Sequence, residues 1–424
     1  SQNHYLKSYI SPVPVENNII HFMTIIPKHP VTRYIMQTNN KQSSHPLLIL
    51  ISGITGAIGS TLGAAVASLH DQPERVQPAL TTGTQFPFLP LALTNIAGWD
   101  IENRSIIQAI GHHGVLSPEV WTPVRDRLND IPVLQAPAQS LSLSDQIDSL
   151  HQDMNRLRNR FPDAVPVLVN LLPAAPCYEL DGFECLDSLK AHIDPARFPD
   201  MAYVLASLEA GIPVVNFTPN VVEIPAVIAA ATRNHVPICG RDGKTGQTYF
   251  KVVLASAFKA RNLMIDGWYS LNILGNSDGA NLMDPDRCAG KLANKTQLLD
   301  DILEYPVGAV YGSPCHKVHI DYYPPRGDAK EAWDVIDFKG LFGLPMSLRL
   351  NLQGRDSILA APMVLDLARW MAALKLAGIS GLIPEMGFYF KKPLGETPAL
   401  TFQDQIQRLQ ELFTQIDDIT KPTG

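Results

Sequence analysis

A chain of 424 residues, 46% hydrophobic and 18% charged, is long enough for two or three cores and too apolar for a disordered polymer. Its net charge of −7, with no basic run interleaved with aromatics, excludes a nucleic acid as partner. The five cysteines (Cys177, Cys185, Cys239, Cys288, Cys315) form no Cys-x-x-Cys pair, which argues against a zinc ribbon or disulfide framework and predicts reduced, mostly buried thiols.

No opening stretch joins basic residues, an apolar run and a small-residue cleavage site, so a cytoplasmic location is expected. After an irregular, proline-dotted stretch, Leu47-Leu-Ile-Leu-Ile51 reads as a strand buried on both faces. A glycine-rich turn and a helical pattern over 60–69 follow. Strand-like runs at 131–134, 165–170, 212–217 and 236–239 alternate with helical patterns at 143–160, 201–210 and 224–233. That alternation predicts an α/β, Rossmann-like, doubly wound parallel sheet. After about Gly246 the runs 268–274, 316–323 and 346–352 look like strands of an open sheet separated by longer loops. A first domain is therefore expected over 1–246 plus 356–424, with an inserted α+β domain over 247–355. The longest apolar segment, 358–378, carries Asp366, Arg369 and Lys375, so it reads as a core helix and no membrane span is expected. An amphipathic surface helix over 403–416 closes the chain.

The first strand ends in Gly53-Ile-Thr-Gly56-Ala-Ile-Gly59-Ser-Thr-Leu62 and opens directly into a helix. Such a turn lets backbone amides approach a pyrophosphate, so Gly53, Gly56, Ala57, Ile58 and Gly59 are candidates to cradle a dinucleotide. Dinucleotide folds usually place an acid about 20 residues after the glycines, at the end of the second strand. Here that region, Pro78-Ala-Leu-Thr-Thr-Gly-Thr84, offers none, and Asp100 is the candidate replacement. No tyrosine has a lysine four residues later, which removes the short-chain dehydrogenase reading. His112 and His113, adjacent on a helix, point about 100° apart and read as surface or capping residues; no metal site is expected.

Six further segments follow in order: Gly240-Arg-Asp-Gly-Lys-Thr-Gly-Gln-Thr248, Leu274-Gly-Asn-Ser-Asp-Gly-Ala-Asn-Leu282, the pair Lys291 and Lys295, Gly327-Asp-Ala-Lys330, Arg355-Asp-Ser-Ile-Leu-Ala-Ala-Pro362 and Phe390-Lys-Lys-Pro-Leu394. With the glycine loop, Gly98-Trp-Asp-Ile101 and Asn216-Phe-Thr-Pro219, they resemble nine motifs of the myo-inositol-1-phosphate synthase family, spread over 47–394. The resemblance implies a tightly bound NAD, regenerated each turnover, and a hexose phosphate such as glucose 6-phosphate. C5 is oxidised by hydride transfer, C6 is enolised and closes onto C1 in an intramolecular aldol step, and the hydride returns. Such chemistry needs cations around a phosphate dianion and around enolate and alkoxide charge.

By that resemblance Lys291 and Lys330 serve proton transfer and oxyanion stabilisation, and Lys295 and Lys391 chiefly hold the phosphate. Asp242, Asp278 and Asp356 are implied on the cofactor side, with Asp100, Asn170, Thr218 and Asp328, and with a monovalent or divalent cation as a further candidate. Gln247 and Asn276 are candidates for the sugar hydroxyls. Local readings stay open: Asp278 with Gly279 also makes a turn, and Asp356 also stands at a helix-capping position. The family's inserted domain implies a homotetramer. Departures occur at Ala57-Ile58, where the family has Asn-Asn, and at Arg355, where it has glutamate; they suit a divergent member with a related sugar phosphate or a ring of different size. Two other readings compete: an NAD-dependent sugar-phosphate dehydrogenase that never cyclises, and a silent NAD-binding scaffold.

Overall fold

The computed structural model describes residues 44–176, 180, 183, 185–281, 283 and 298–421, with Ser277 and Asp278 by backbone alone. Strand β1 (Leu47–Ser52) is buried at every position, as a strand covered on both faces must be. It pairs in parallel with β2 (Thr94–Asp100) and β4 (Val165–Asn170). With β3 (Val133–Gln135), β5 (Val214–Asn216), β6 (Pro237–Gly240) and the short β11 (Gly381–Leu382), the sheet runs β11-β6-β5-β4-β1-β2-β3, and every pair is parallel. The winding reverses between β1 and β4, where such sheets open a ligand crevice at the strand C-termini.

Helices cover both faces. α1 (Ala57–Asp71) and α8 (Asp356–Leu376) pack on one side. On the other lie α3 (Leu143–Arg160), α4 (Asp200–Glu209) and α5 (Pro225–Arg233). α2 (Ile106–His113) follows β2 and starts in a capping box, Ser105 and Gln108 each satisfying the other's backbone amide. The C-terminal helix α9 (Phe402–Thr420) is capped by Thr401.

α8 is long and apolar enough to cross a membrane, yet 78% of its apolar window is buried inside the protein. Its Asp366 accepts from the backbone and hydroxyl of both Thr81 and Thr82, at 2.6–2.9 Å. Arg369, one turn on, donates to Thr82 Oγ1, Leu89 O and Gln85 O. Removing one partner from such a buried set costs about 3–5 kcal/mol, so this polar rung pins 81–89 to a core helix.

The second strand falls where no strand was expected. Residues 77–84 form 3₁₀ and irregular turns, and β2 begins only at Thr94, ending on Asp100. Gly98 interrupts the apolar pattern because a Cβ there would lie 2.1 Å from Ile51 O.

The second sheet runs β10 (Pro345–Arg355), β9 (Ala329–Lys339), β7 (Met264–Leu274), β8 (His316–Tyr322); β9 is antiparallel to both neighbours and β7 is parallel to β8. α6 (Gln247–Ala260) sets Val252, Ala255 and Phe258 against Ile265, Trp268 and Ile336 on one face. The opposite face leaves Tyr269 and Trp333 exposed. β9 was not anticipated: its acids and lysines break up the apolar alternation. Among the described residues the free cysteines are Cys239, buried, Cys315, half-buried, and Cys185, exposed; Cys177 and Cys288 lie outside the described residues.

Candidate active site

Gly53 takes φ +85°, a left-handed conformation suited to glycine, and its amide bonds Trp99 O at 2.9 Å. The chain turns through Thr55 and enters α1 behind Gly56, an N-cap that offers no side-chain acceptor, and α1 has no acid in its first turn. The first amides of a helix lack intrahelical acceptors, so the turn at Ala57, Ile58 and Gly59 presents donors and a positive dipole end to an anion. At Gly59 an added Cβ would lie 2.4 Å from Ile54 O, so the helix start is folded back onto the strand end. At Gly56 it would meet only Gly53 O, at 3.2 Å, which leaves open space over the loop. An uncapped helix start, a glycine left bare toward open space and an acid ending the next strand together fit a dinucleotide.

That acid, Asp100, is committed to the loop: Oδ2 accepts from Thr55 N at 2.9 Å and Oδ1 from Ile101 N at 2.8 Å. The other end of the same peptide, Thr55 O, bonds His113 Nε2 at 2.9 Å. His113 is therefore a loop clamp, a correction to its reading as a surface or capping residue, and no sequence pattern links positions 58 apart. Asn170 and Thr218 sit at the strand ends with their side chains occupied. Asn170 accepts from Ser52 and donates to Asp200 and Asn216, while Thr218 donates to Asn216 Oδ1 and accepts from Asn220 N. Both residues are buried in this network.

A second cluster gathers residues far apart in the chain. Asp242, in the left-handed region at φ +61°, bonds Lys391 Nζ at 2.7 Å, and the two backbones are tied by Lys391 N to Asp242 O at 2.7 Å. Lys330 Nζ lies 3.2 Å from Asp356 Oδ2, whose other oxygen accepts from Thr245 Oγ1 at 3.1 Å. Burial pushes the Asp356 carboxyl up, but the combined fields of Lys330 and Lys391 outweigh it and hold the group below the usual carboxylate range. Both lysines therefore act on one carboxylate. The capping reading of Asp356 is corrected: Arg355 is the N-cap, without a side-chain bond, and Asp356 opens the helix with its side chain turned to Lys330 and Thr245.

Asp328 joins this cluster through Asn276 and Ser357, and burial, reinforced by Asp356, raises its carboxyl above the ordinary value. Its Oδ2 and Asp242 Oδ2 are buried without a hydrogen-bond partner, two acceptors that a polar ligand could satisfy. Asn276 also caps α7 (Ser277–Asn281) through Gly279 N. Gln247 is buried at the start of α6 and donates to Asp334 Oδ2 at 2.9 Å. Arg355 Nη1 reaches Val115 O at 2.7 Å, bridging the Asp356 cluster to the segment just after His113. Lys291 and Lys295 lie outside the described residues, as does the side chain of Asp278. Among the described residues no three His, Cys, Asp or Glu groups converge as metal ligands.

The model of the myo-inositol-1-phosphate synthase family matches residues 246–357, from the N-cap of α6 to the first turn of α8. Inositol-3-phosphate synthase 1 of Bacteroides thetaiotaomicron is 43% identical over 90% of this chain and 95% of its own length. The inositol-3-phosphate synthase of Brassica napus is 26% identical over 86% of this chain and 81% of its own. The crystal structure of the Caenorhabditis elegans inositol-3-phosphate synthase shares the fold with a TM-score of 0.75, at 20% identity, covering 90% of this chain and 88% of that one. A myo-inositol-1-phosphate synthase-related protein of Thermotoga maritima follows with a TM-score of 0.71 at 19% identity, over 87% of this chain and 99% of that one. This chain belongs to the inositol-3-phosphate synthase family, intramolecular lyases that cyclise a sugar phosphate.

Proposed function

We propose that the chain carries out an NAD-dependent, redox-neutral aldol cyclisation of a hexose phosphate, glucose 6-phosphate to an inositol phosphate or a close variant of it, and keeps its NAD between turnovers. The observation that carries this reading is the convergence of Lys330, Lys391, Asp242 and Asp356, drawn from four segments, into one paired set. A scaffold has no use for two largely buried lysine–carboxylate pairs set side by side. The loop from Gly53 to Gly59, clamped by Asp100 and His113, would hold the dinucleotide's pyrophosphate.

When bound, NAD supplies an acceptor for a hydride that is returned in the same turnover. The chain's own groups do the rest. Lys330, oriented by Asp356, would donate to the oxygen on which enolate or alkoxide charge grows and pass a proton there. Lys391, held by Asp242, adds a second cation for the phosphate. The start of α6 is a third anchor. Gly246 is an N-cap without side-chain bond, no acid stands in the first turn, and a Cβ on Gly246 would lie 3.9 Å from Asp356 Oδ1. Its amides therefore open beside the lysines and suit a phosphate dianion. Asp242 Oδ2 and Asp328 Oδ2 are the acceptors left for sugar hydroxyls or a cation. Lys291 for proton transfer, Lys295 for the phosphate and Asp278 for the cofactor complete the set by resemblance.

The division into 1–246 plus 356–424 and 247–355 is our reading of how this is arranged, supported by α6 opening the second sheet's segment and β10 closing it. Homotetramer formation is inferred through the open face of that sheet. The test of the function is phosphorus NMR and NADH absorbance after incubation with stoichiometric NAD⁺ and glucose 6-phosphate. A new phosphomonoester resonance is expected without accumulated NADH, and Lys330→Ala should slow its appearance about 10²-fold or more. NADH accumulating in step with substrate loss would sink the cyclase in favour of a plain dehydrogenase.

A further inference from the structure

The face of the second sheet that α6 covers begins apolar, with Trp268 paired to Ile336, and turns polar one step further along. Ser270 pairs there with Asp334 and Asn272 with Ala332, and Lys330 lies on the same face four residues from Asp334. These polar groups are sealed: Ser270 is 0%, Asn272 1%, Asp334 2% and Lys251 2% exposed. Lys251, Ser270 and Asp334 form one chain of hydrogen bonds. Lys251 Nζ, on α6, donates to Ser270 Oγ at 3.2 Å and lies 2.6 Å from His316 Nε2. Ser270 Oγ donates to Asp334 Oδ1 at 2.5 Å, and Trp268 Nε1 donates to the same oxygen at 2.7 Å. Asp334 Oδ2, the remaining acceptor, takes Gln247 Nε2 at 2.9 Å.

This geometry leaves one orientation for the Gln247 amide. Both Asp334 oxygens accept, Oδ1 from Trp268 and Ser270 and Oδ2 from Gln247, so Nε2 faces the carboxyl group and Oε1 faces away. Among the described residues Oε1 receives no hydrogen bond, and both amide atoms of Asn272, next along the face, are buried without partner. Gln247 is the first residue of the helix whose amides suit a phosphate. A carbonyl oxygen repels a phosphate oxygen and accepts from a hydroxyl.

We propose that Lys251, Ser270 and Asp334 form a positioning relay that locks the Gln247 amide carbonyl-first toward the sugar, making it an acceptor that selects a substrate hydroxyl. The relay rests on the reading of Gln247 as a sugar contact. Lys251 holds Ser270 from the far side, and Trp268 and Ser270 fix which of the Asp334 oxygens remains for Gln247.

The test is steady-state kinetics with glucose 6-phosphate and its monodeoxy analogues. In Asp334→Asn, the Asn oxygen keeps Trp268 and Ser270, its NH₂ faces Gln247, and the Gln247 amide must flip to present a donor. The expected result is a KM raised about tenfold with kcat little changed, and loss of the penalty that one deoxy analogue suffers in the parent. Gln247→Glu should fail similarly, carboxylate against carboxylate. The double variant Asp334→Asn with Gln247→Glu restores an acceptor toward the sugar and should return KM to within about threefold of the parent. Should Asp334→Asn not fold, the double variant alone decides, and a KM as high as that of Gln247→Leu overturns the relay. Unchanged KM in Asp334→Asn, with a raised KM in Gln247→Leu, overturns the relay but spares the Gln247 contact. Unchanged KM in Gln247→Leu overturns both.

Discussion

At the scale of single residues, the glycines of the cofactor loop do different jobs, and the difference makes one of them a clean probe. Gly59 cannot take a side chain without driving a Cβ to 2.4 Å from Ile54 O. Gly56 sits at φ −66° and ψ 170°, open to any residue, and a Cβ there presses only on Gly53 O at 3.2 Å. Gly56→Val should therefore fold normally and place its methyls where a pyrophosphate must come, lowering NAD⁺ affinity by about tenfold or more. Isothermal titration showing unchanged NAD⁺ binding in a folded Gly56→Val would remove the loop from the cofactor site. Residue identity in the motifs was legible, but residue duty was not. Asp100, expected at the ribose, also accepts from Thr55 N and Ile101 N, a tie to the glycine turn that no spacing along the chain announces.

At the scale of elements, Lys244 shows how a motif residue can serve packing. It lies in the segment from Gly240 to Thr248, yet its Nζ turns from the Asp242 cluster, donates to Gln405 Oε1 of α9 at 2.8 Å and faces the Phe388 ring. Burial lowers its pKa to about 7. The unfolded chain, with an ordinary lysine at 10.5, then holds one more proton than the folded protein between about pH 7 and 10.5, so stability rises with pH across that window. Lys251, lowered to about 8 by burial, adds the same sign from pH 8 upward. The buried Cys239 thiol, raised by burial, works the other way only above its unfolded value of 9. Urea unfolding between pH 7 and 8.5 should show stability climbing at roughly 1 kcal/mol per pH unit, with a shallower climb in Lys244→Met. Parallel curves for parent and variant would mean that Lys244 stays charged where it lies.

At the scale of the whole molecule, α6 and residues 298–307 pack against one face of the second sheet, and among the described residues the other face is partly bare. Tyr269 and Trp333 are 46% and 49% exposed on the other, and the turn joining β9 to β10 exposes Leu341, Phe342 and Leu344. Apolar surface gathered on one side of a strand layer invites pairing with an equivalent surface. We expect light scattering at micromolar concentration to report a tetramer, and Trp333→Glu with Tyr269→Lys to shift it toward smaller species. A clean monomer from the parent chain would count against the sheet as an assembly surface.

The sequence by itself determined the alternation of strand and helix, the glycine turn after β1 and the order of motifs from 47 to 394, because each is written in local periodicity or in neighbouring residues. It also marked α8 as a core helix, since Asp366 and Arg369 inside an apolar run demand internal partners. Where local pattern was weak it stayed silent: β2 carries a glycine that a close strand requires, and β9 alternates charges. Only the tertiary structure decided which side chains meet. Lys330 and Asp356 are 26 residues apart, Asp242 and Lys391 149, and Thr55 and His113 58. The lysine–carboxylate meetings depend on how the end of β6 and the starts of β9 and α8 are stacked, and the Thr55–His113 contact on how α2 lies against the glycine turn, not on spacing along the chain. The roles of Asp334 and Lys251 come from the same cause: a carboxylate and an ammonium on different elements acquire a function only when burial leaves them no other partners.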